Sequence, residues 1–262
     1  MRGKHPTAPG RRALSVAFLV LPLVAGSWSV TEVRAQGCSA TAATCVSAPT
    51  DIGLREVAFF GVGIGALMIL DEIVWQGVSD SHGSDGTMML EPFRALGDGA
   101  VMAIVSGGAF LAGLATGDED LTRTGERLLA TMALAAGAVH VTKFVFGRSR
   151  PYEGEGALSF NPGTPGSSFY SGHTTMAFAM ATALSEEIDH TAATVILYSA
   201  ASLAGYSRMH DNQHWLSDVV AGAVLGIASA KFVYGQWTIF GLRAPSFLAG
   251  PTSVSMSYRF KF

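Results

Sequence analysis

Residues 207–218 read Ser207-Arg208-Met209-His210-Asp211-Asn212-Gln213-His214-Trp215-Leu216-Ser217-Asp218. His214 and Asp218 stand four residues apart, so a helix that begins at His214 carries both on one face. The carboxylate can then accept the N–H of one imidazole nitrogen, fixing the tautomer and leaving the other nitrogen free for nucleophilic attack. Such i,i+4 pairs also occur on ordinary helix surfaces. What sets this one apart is its company: Arg208 beside it, and two further polar segments upstream at other helix ends.

The nearer of these is Ser171-Gly172-His173. Pro162, Gly163, Pro165 and Gly166 force an extended loop, after which Ser171 opens an apolar helix. Its free backbone N–H groups and positive end suit an anion, with a hydroxyl and an imidazole alongside. The other segment is 143–151, where Lys143 and Arg150 flank a helix end stopped by Pro151. An ammonium point charge and a guanidinium fork there could grip a phosphoryl group from two sides. Basic residues also gather at helix C-termini for dipole reasons, so this segment says little by itself.

Apolar runs at about 56–75, 99–116, 128–146, 172–184, 192–206 and 214–234, separated by Gly, Pro, Asp or Asn clusters, predict six helices in an all-α bundle. All three polar segments fall at ends of these runs, so helix packing can gather them. The tract Asp80-Ser81-His82-Gly83-Ser84-Asp85-Gly86 reads as a loop, and Asp118-Glu119-Asp120 leads into the third helix, where its dipole favours acidic groups. After Gly241 the pattern becomes an alternation of Val254, Met256, Tyr258, Phe260 and Phe262 with polar residues, a strand-like tail suited to a terminal hairpin. His140, within an apolar helix, is expected to be a buried, satisfied histidine, and His210 to lie at the surface or rim.

The chain has 262 residues, 49% apolar and 14% charged, with a net charge of −3. No basic stripe is present that could neutralise a nucleic-acid backbone. At the N-terminus, Arg2, Lys4, Arg11 and Arg12 precede an apolar run at 13–26, and Val33-Arg34-Ala35 offers a cleavage point, so 1–35 reads as a signal peptide. Cleavage would remove five of the 17 basic and one of the 20 acidic residues, leaving −7. A linker at 36–52 follows, holding Cys38 and Cys45, which an oxidising compartment would allow to pair. The uncharged part of the first helical run, 57–70, falls short of the roughly 20 residues that span a bilayer. The expectation is therefore an exported bundle, periplasmic or membrane-associated, with its site outside the cytoplasm, rather than an integrally inserted one.

The ordered set K-x6-R-P, S-G-H and S-R-x5-H-x3-D resembles the type 2 phosphatidic acid phosphatase (PAP2) superfamily, which includes bacterial class A acid phosphatases and vanadium haloperoxidases. The resemblance covers about 53–240 and leaves 241–262 as a tail. It implies that Lys143, Arg150 and Arg208 bind phosphoryl oxygens, with Ser171 and Gly172 adding hydrogen bonds. It further implies His214 as the nucleophile, Asp218 as its orienting partner, and His173 as the acid that protonates the leaving alcohol and later activates water. One position departs from the pattern: Tyr170 stands where Pro usually precedes S-G-H, which implies a slightly altered pocket.

The function expected on this basis is a phosphatase that needs no metal or other cofactor, acting on phosphate monoesters or pyrophosphates through a phosphohistidine. No carboxylate cluster suits two divalent ions and no Cys lies in a phosphate-binding loop. The partner is a phosphorylated substrate, such as a lipid phosphate or prenyl pyrophosphate. A vanadate-dependent haloperoxidase and a non-catalytic envelope protein are the alternatives.

Overall fold

The computed structural model describes residues 48–79, 84–164, 167–250 and 253–257. Seven α-helices occur among them: α1 (Leu54–Ser79), α2 (Ser84–Ala95), α3 (Gly99–Thr116), α4 (Glu119–Phe146), α5 (Gly172–Ile188), α6 (Thr191–His210) and α7 (Leu216–Val233). Strand β1 (Thr50–Ile52) pairs in parallel with β2 (Trp237–Ile239), and β3 (Ser246–Gly250) forms an antiparallel hairpin with β4 (Ser253–Ser257). The chain is thus an all-α bundle with a C-terminal hairpin, and β1 occupies the end of the expected linker. The signal segment and both cysteines lie outside the described residues.

Helix α5 is the axis of the bundle, with every residue from Thr174 to Ala183 buried. Small residues let its neighbours come close. A Cβ on Gly226 of α7 would fall 2.3 Å from the Thr175 carbonyl oxygen, and one on Gly222 would fall 2.8 Å from that of Ser171. Alanine dominates around the axis: Ala177 and Ala181 of α5 pack with Ala201 and Ala204 of α6 and Ala223 of α7. The first turn of α5 is thereby seated on α7, and the two helices that start at the polar segments are held in fixed register.

Four expectations are corrected. Residues from Ser84 onward are not loop but the start of α2, which tolerates Pro92 because Phe93 packs into the alanine-rich core, so tertiary burial overrides a poor local sequence. His140 is exposed on α4, and His210 is buried, the reverse of what was expected for each. Helix α1 runs well past the uncharged stretch, because Asp71 and Glu72, which interrupt it, turn towards protein: Asp71 is fully buried and Glu72 accepts the Ala157 N–H at 2.8 Å.

That last point bears on the membrane. Helices α1, α3, α4 and α7 are each long and apolar enough to cross one. Much of their apolar surface points outward: Phe59, Val62, Ile69 and Ile73 on α1, Ile104 and Leu111 on α3, and Val141 and Phe144 on α4 are 63–73% exposed. Exposed apolar surface on this scale marks a membrane-associated protein.

The close α5/α7 approach gives a direct test. Gly226→Ala is expected to destabilise the fold by about 1–3 kcal/mol through overpacking. Gly107→Ala, where an added Cβ meets nothing within 4 Å, should be neutral or stabilising. Thermal unfolding of both purified variants checks the contrast.

Candidate active site

All three polar segments meet at one end of the bundle, where α4 and α6 finish and α5 and α7 begin. Helix α6 ends at His210, and the turn that follows doubles back on it: the N–H groups of Gln213 and His214 donate to the Arg208 carbonyl at 3.0 and 3.2 Å. Asn212 sits in that turn at φ +56, a left-handed conformation that Asn tolerates, and accepts the Trp75 indole N–H at 2.8 Å. The turn thus delivers His214 directly to the start of α7, anchored by α1.

His214 is 3% exposed. Its Nδ1 lies 3.6 Å from Asp218 Oδ2, longer than a hydrogen bond, and 3.2 Å from the Ser168 hydroxyl. Ser168 in turn donates a short bond to Asp218 Oδ2. With its proton committed to Asp218, Ser168 accepts from His214 Nδ1–H, so a serine links the imidazole to the carboxylate. The i,i+4 geometry correctly placed the two residues on one face. The serine between them, although it lies in the polar run before Ser171, carried no separate signal in the sequence.

Lys143 on α4 donates to the Ser167 carbonyl at 2.5 Å, Arg150 to the Gln213 side-chain oxygen at 2.6 Å, and Arg208 to Asp211 at 3.3 Å. Asp211 also pairs with Arg94 of α2 at 2.5 Å. All three cations are near enough to act on His173: burial and then Arg208 keep its pKa below the ordinary value, Lys143 and Arg150 adding to this, while Asp98 pulls the other way. His173 also backs onto the α2–α3 turn, where a Cβ on Gly97 would lie 2.6 Å from its carbonyl oxygen. Burial pushes the pKa of His214 down to about 4 against the raising effect of Asp218, with Lys143 and Arg150 lowering it further. Both imidazoles are therefore neutral near pH 7.

Ser171 is fully buried at the N-cap of α5, its hydroxyl accepting from Thr174 at 2.9 Å and its N–H donating to the Asp218 carbonyl at 3.1 Å. Gly172 begins the helix. Tyr170 packs against Phe169 and Phe146, with ring centroids 4.0 and 6.5 Å away. No cluster of metal-binding side chains occurs among the described residues.

Beneath the site lies an arrangement that the sequence reading missed. Arg148, 1% exposed, donates to Asp218 Oδ1 at 2.5 Å, Asp71 Oδ2 at 2.7 Å, Ser217 Oγ at 2.7 Å and the Ala157 carbonyl. Asp71 also accepts the backbone N–H of Ser217 at 2.8 Å, satisfying an otherwise open donor at the start of α7. The available signal was an acidic residue inside an apolar helix, which demands a buried partner.

The sequence pattern of the PAP2 superfamily matches residues 126–240, the span that contains all three polar segments. This region is a PAP2-superfamily domain. Over 105 residues the chain is 40% identical to the lipid A 1-phosphatase of Porphyromonas gingivalis, a match covering 39% of this chain and 21% of that protein. The chain thus spans about a fifth of that relative's length. Among solved structures, the transmembrane PAP2-type phosphatidylglycerolphosphate phosphatase of Bacillus subtilis shares the fold, with a TM-score of 0.51 and 18% identity over 68% of this chain and 92% of that one. Aquifex aeolicus LpxE aligns with a TM-score of 0.49 and 24% identity over 63% of this chain and 94% of that one.

In a histidine-selective NMR titration of the PAP2 domain within the full chain, His214 should take up a proton only near pH 4 and His173 below the ordinary 6.5. Titration of His214 at the ordinary value would contradict the buried, serine-linked environment described above.

Proposed function

We propose that the chain is a membrane-associated phosphatase that hydrolyses a lipid phosphate or pyrophosphate through a phosphohistidine, with residues 53–240 as its working unit. The observation that carries this reading is a buried imidazole, tied through Ser168 to Asp218, at the same helix ends as His173, Lys143, Arg150 and Arg208.

With Nδ1–H committed to Ser168, Nε2 of His214 is the nitrogen that attacks phosphorus. The ester P–O bond breaks, its electron pair leaves on the alcohol oxygen, and protonated His173 gives that oxygen its proton. Neutral His173 then takes a proton from water as the water oxygen attacks phosphorus. The P–N bond breaks, its pair returns to His214, and orthophosphate departs. Lys143, Arg150 and Arg208 hold the charge that spreads over the equatorial oxygens of a loose transition state, with Ser171 and Gly172 at the helix N-terminus adding their dipole. The chemistry so described draws on no metal. A lipid substrate accords with the outward apolar surface of α1, α3 and α4 and with the name of the curated relative.

A site that opens outside the cytoplasm places a condition on the chain. Helix α1 carries the backbone from the Thr50 end of the bundle to the site end, about 39 Å at 1.5 Å per residue over its 26 residues. If α1 crosses the membrane, an outward site requires residues 48–53 to be inside, and cleavage of a signal at Ala35 would require the opposite. In a background with Cys38 and Cys45 replaced by Ser, Leu158→Cys at the site end should react with a membrane-impermeant maleimide in intact cells. Asp120→Cys at the far end should react only after lysis, and the reverse pattern would place the site in the cytoplasm.

Two kinetic outcomes test the chemistry. On short-chain phosphatidic acid, prenyl pyrophosphate and an aryl phosphate, activity should survive EDTA, fall with vanadate, and drop about 10⁴-fold or more in His214→Ala. Because His214 must be neutral and His173 protonated, kcat/KM should fall below about pH 4 and again as pH rises through a His173 value under 6.5. Full activity in His214→Ala would overturn the mechanism.

A further inference from the structure

We propose that Asp71, together with Arg148, is a positioning element for the nucleophile, holding Asp218 in place without cancelling its charge. The inference rests on the phosphohistidine reading above.

The argument is one of charge and geometry in a dry site. Asp218 and Asp71 are fully buried and Arg148 is 1% exposed, so their interactions escape solvent screening. Arg148 fixes Asp218 through Oδ1, leaving Oδ2 for Ser168 and the Trp215 N–H at 2.9 Å. The two oxygens thus have separate tasks: one anchors, the other faces His214. An arginine used alone as the anchor would have a drawback. A guanidinium paired only with Asp218 forms a neutral ion pair, withdrawing the negative charge that must stabilise His214 once phosphoryl transfer makes its ring cationic.

Asp71 supplies the second negative charge. It engages the other guanidinium nitrogen at 2.7 Å, so two carboxylates share one cation and the trio keeps one net negative charge next to the nucleophile. Asp71 also holds Ser217 by both its N–H and its hydroxyl, at 2.8 and 2.5 Å. Ser217 is the residue before Asp218, so the same carboxylate sets the backbone from which Asp218 projects. The guanidinium is further enclosed by the rings of Phe160, Phe169 and Trp215, 5.6–5.9 Å from its carbon, and its Nε donates to the Ala157 carbonyl at 2.9 Å. It has no room to reach a substrate, which separates it from Lys143, Arg150 and Arg208.

The test compares wild type, Asp71→Asn and Asp71→Glu as purified full-length protein, on an aryl phosphate and a short-chain phosphatidic acid. Asp71→Asn should lower kcat about 10- to 100-fold, the range seen when a group that orients a catalytic ligand is lost, with KM unchanged. The phosphoenzyme trapped by an alkaline detergent quench, in which a P–N bond survives, should form more slowly to the same extent. Asp71→Glu, which keeps the negative charge beside the guanidinium, should retain kcat to within about 10-fold of wild type, and it carries the test if Asp71→Asn alone does not fold. A folded Asp71→Asn with unchanged kcat, a change confined to KM, or a kcat in Asp71→Glu lowered as far as is expected for Asp71→Asn would each overturn the proposal. If wild type hydrolyses neither probe, the phosphatase reading fails first and this inference falls with it.

Discussion

One buried guanidinium sets the geometry on which the rest of the site depends. Arg148 sits buried among Asp71, Asp218 and Ser217, and its bonds reach three separate parts of the chain: α1, α7 and the 151–160 loop. A charge placed so deep is costly unless every donor finds an acceptor, and here the acceptors are supplied in full. Because a buried charge deprived of a partner costs several kcal/mol, the three elements cannot drift apart individually. The position of Asp218, and through Ser168 that of His214, follows from this constraint.

Helix packing supplies the other half of the geometry. Glycines 222 and 226 bring α7 against α5 at backbone distance, so the helix bearing Asp218 and the helix starting at Ser171 form one rigid pair. The Ser171 N–H donating to the Asp218 carbonyl ties the two starts together directly. The cations come from elements around this pair, Lys143 from α4, Arg150 from the loop after it and Arg208 from α6. Division of labour of this kind lets the electrostatics vary by side chain while His214 and Asp218 stay fixed by backbone.

What was legible in the sequence was what depends on local spacing. The His214/Asp218 face, the helix start at Ser171 and the positions of six helices follow from residues within a turn or two of each other. The C-terminal alternation likewise foretold the hairpin. What escaped was what depends on partners far away in the chain. Asp71 looked like the end of an apolar run because nothing near it reveals Arg148, 77 residues on. The same reading made α1 too short for a membrane, whereas Asp71 and Glu72 face protein and the apolar face continues past them. Helix α2 was missed because Gly, Asp and Pro mark it as loop and only Phe93, packed into the core, argues otherwise. The two misplaced histidines, His140 and His210, show the same limit: one lies on a face turned away from the bundle, the other beneath a helix end, and helical period alone does not say which side is in.

Asp71 also ties the site to the order in which the chain is made. Its partner Ser217 lies 146 residues later, so α1 leaves the synthesis machinery long before its acidic group can find the amide and guanidinium that satisfy it. Until α7 emerges, that group is a lone acid in an apolar segment, and such a segment holds its place in lipid poorly. Completion of the support beneath Asp218 and secure seating of the first helix are therefore one late event during biogenesis, and a chain that stops short of α7 has neither.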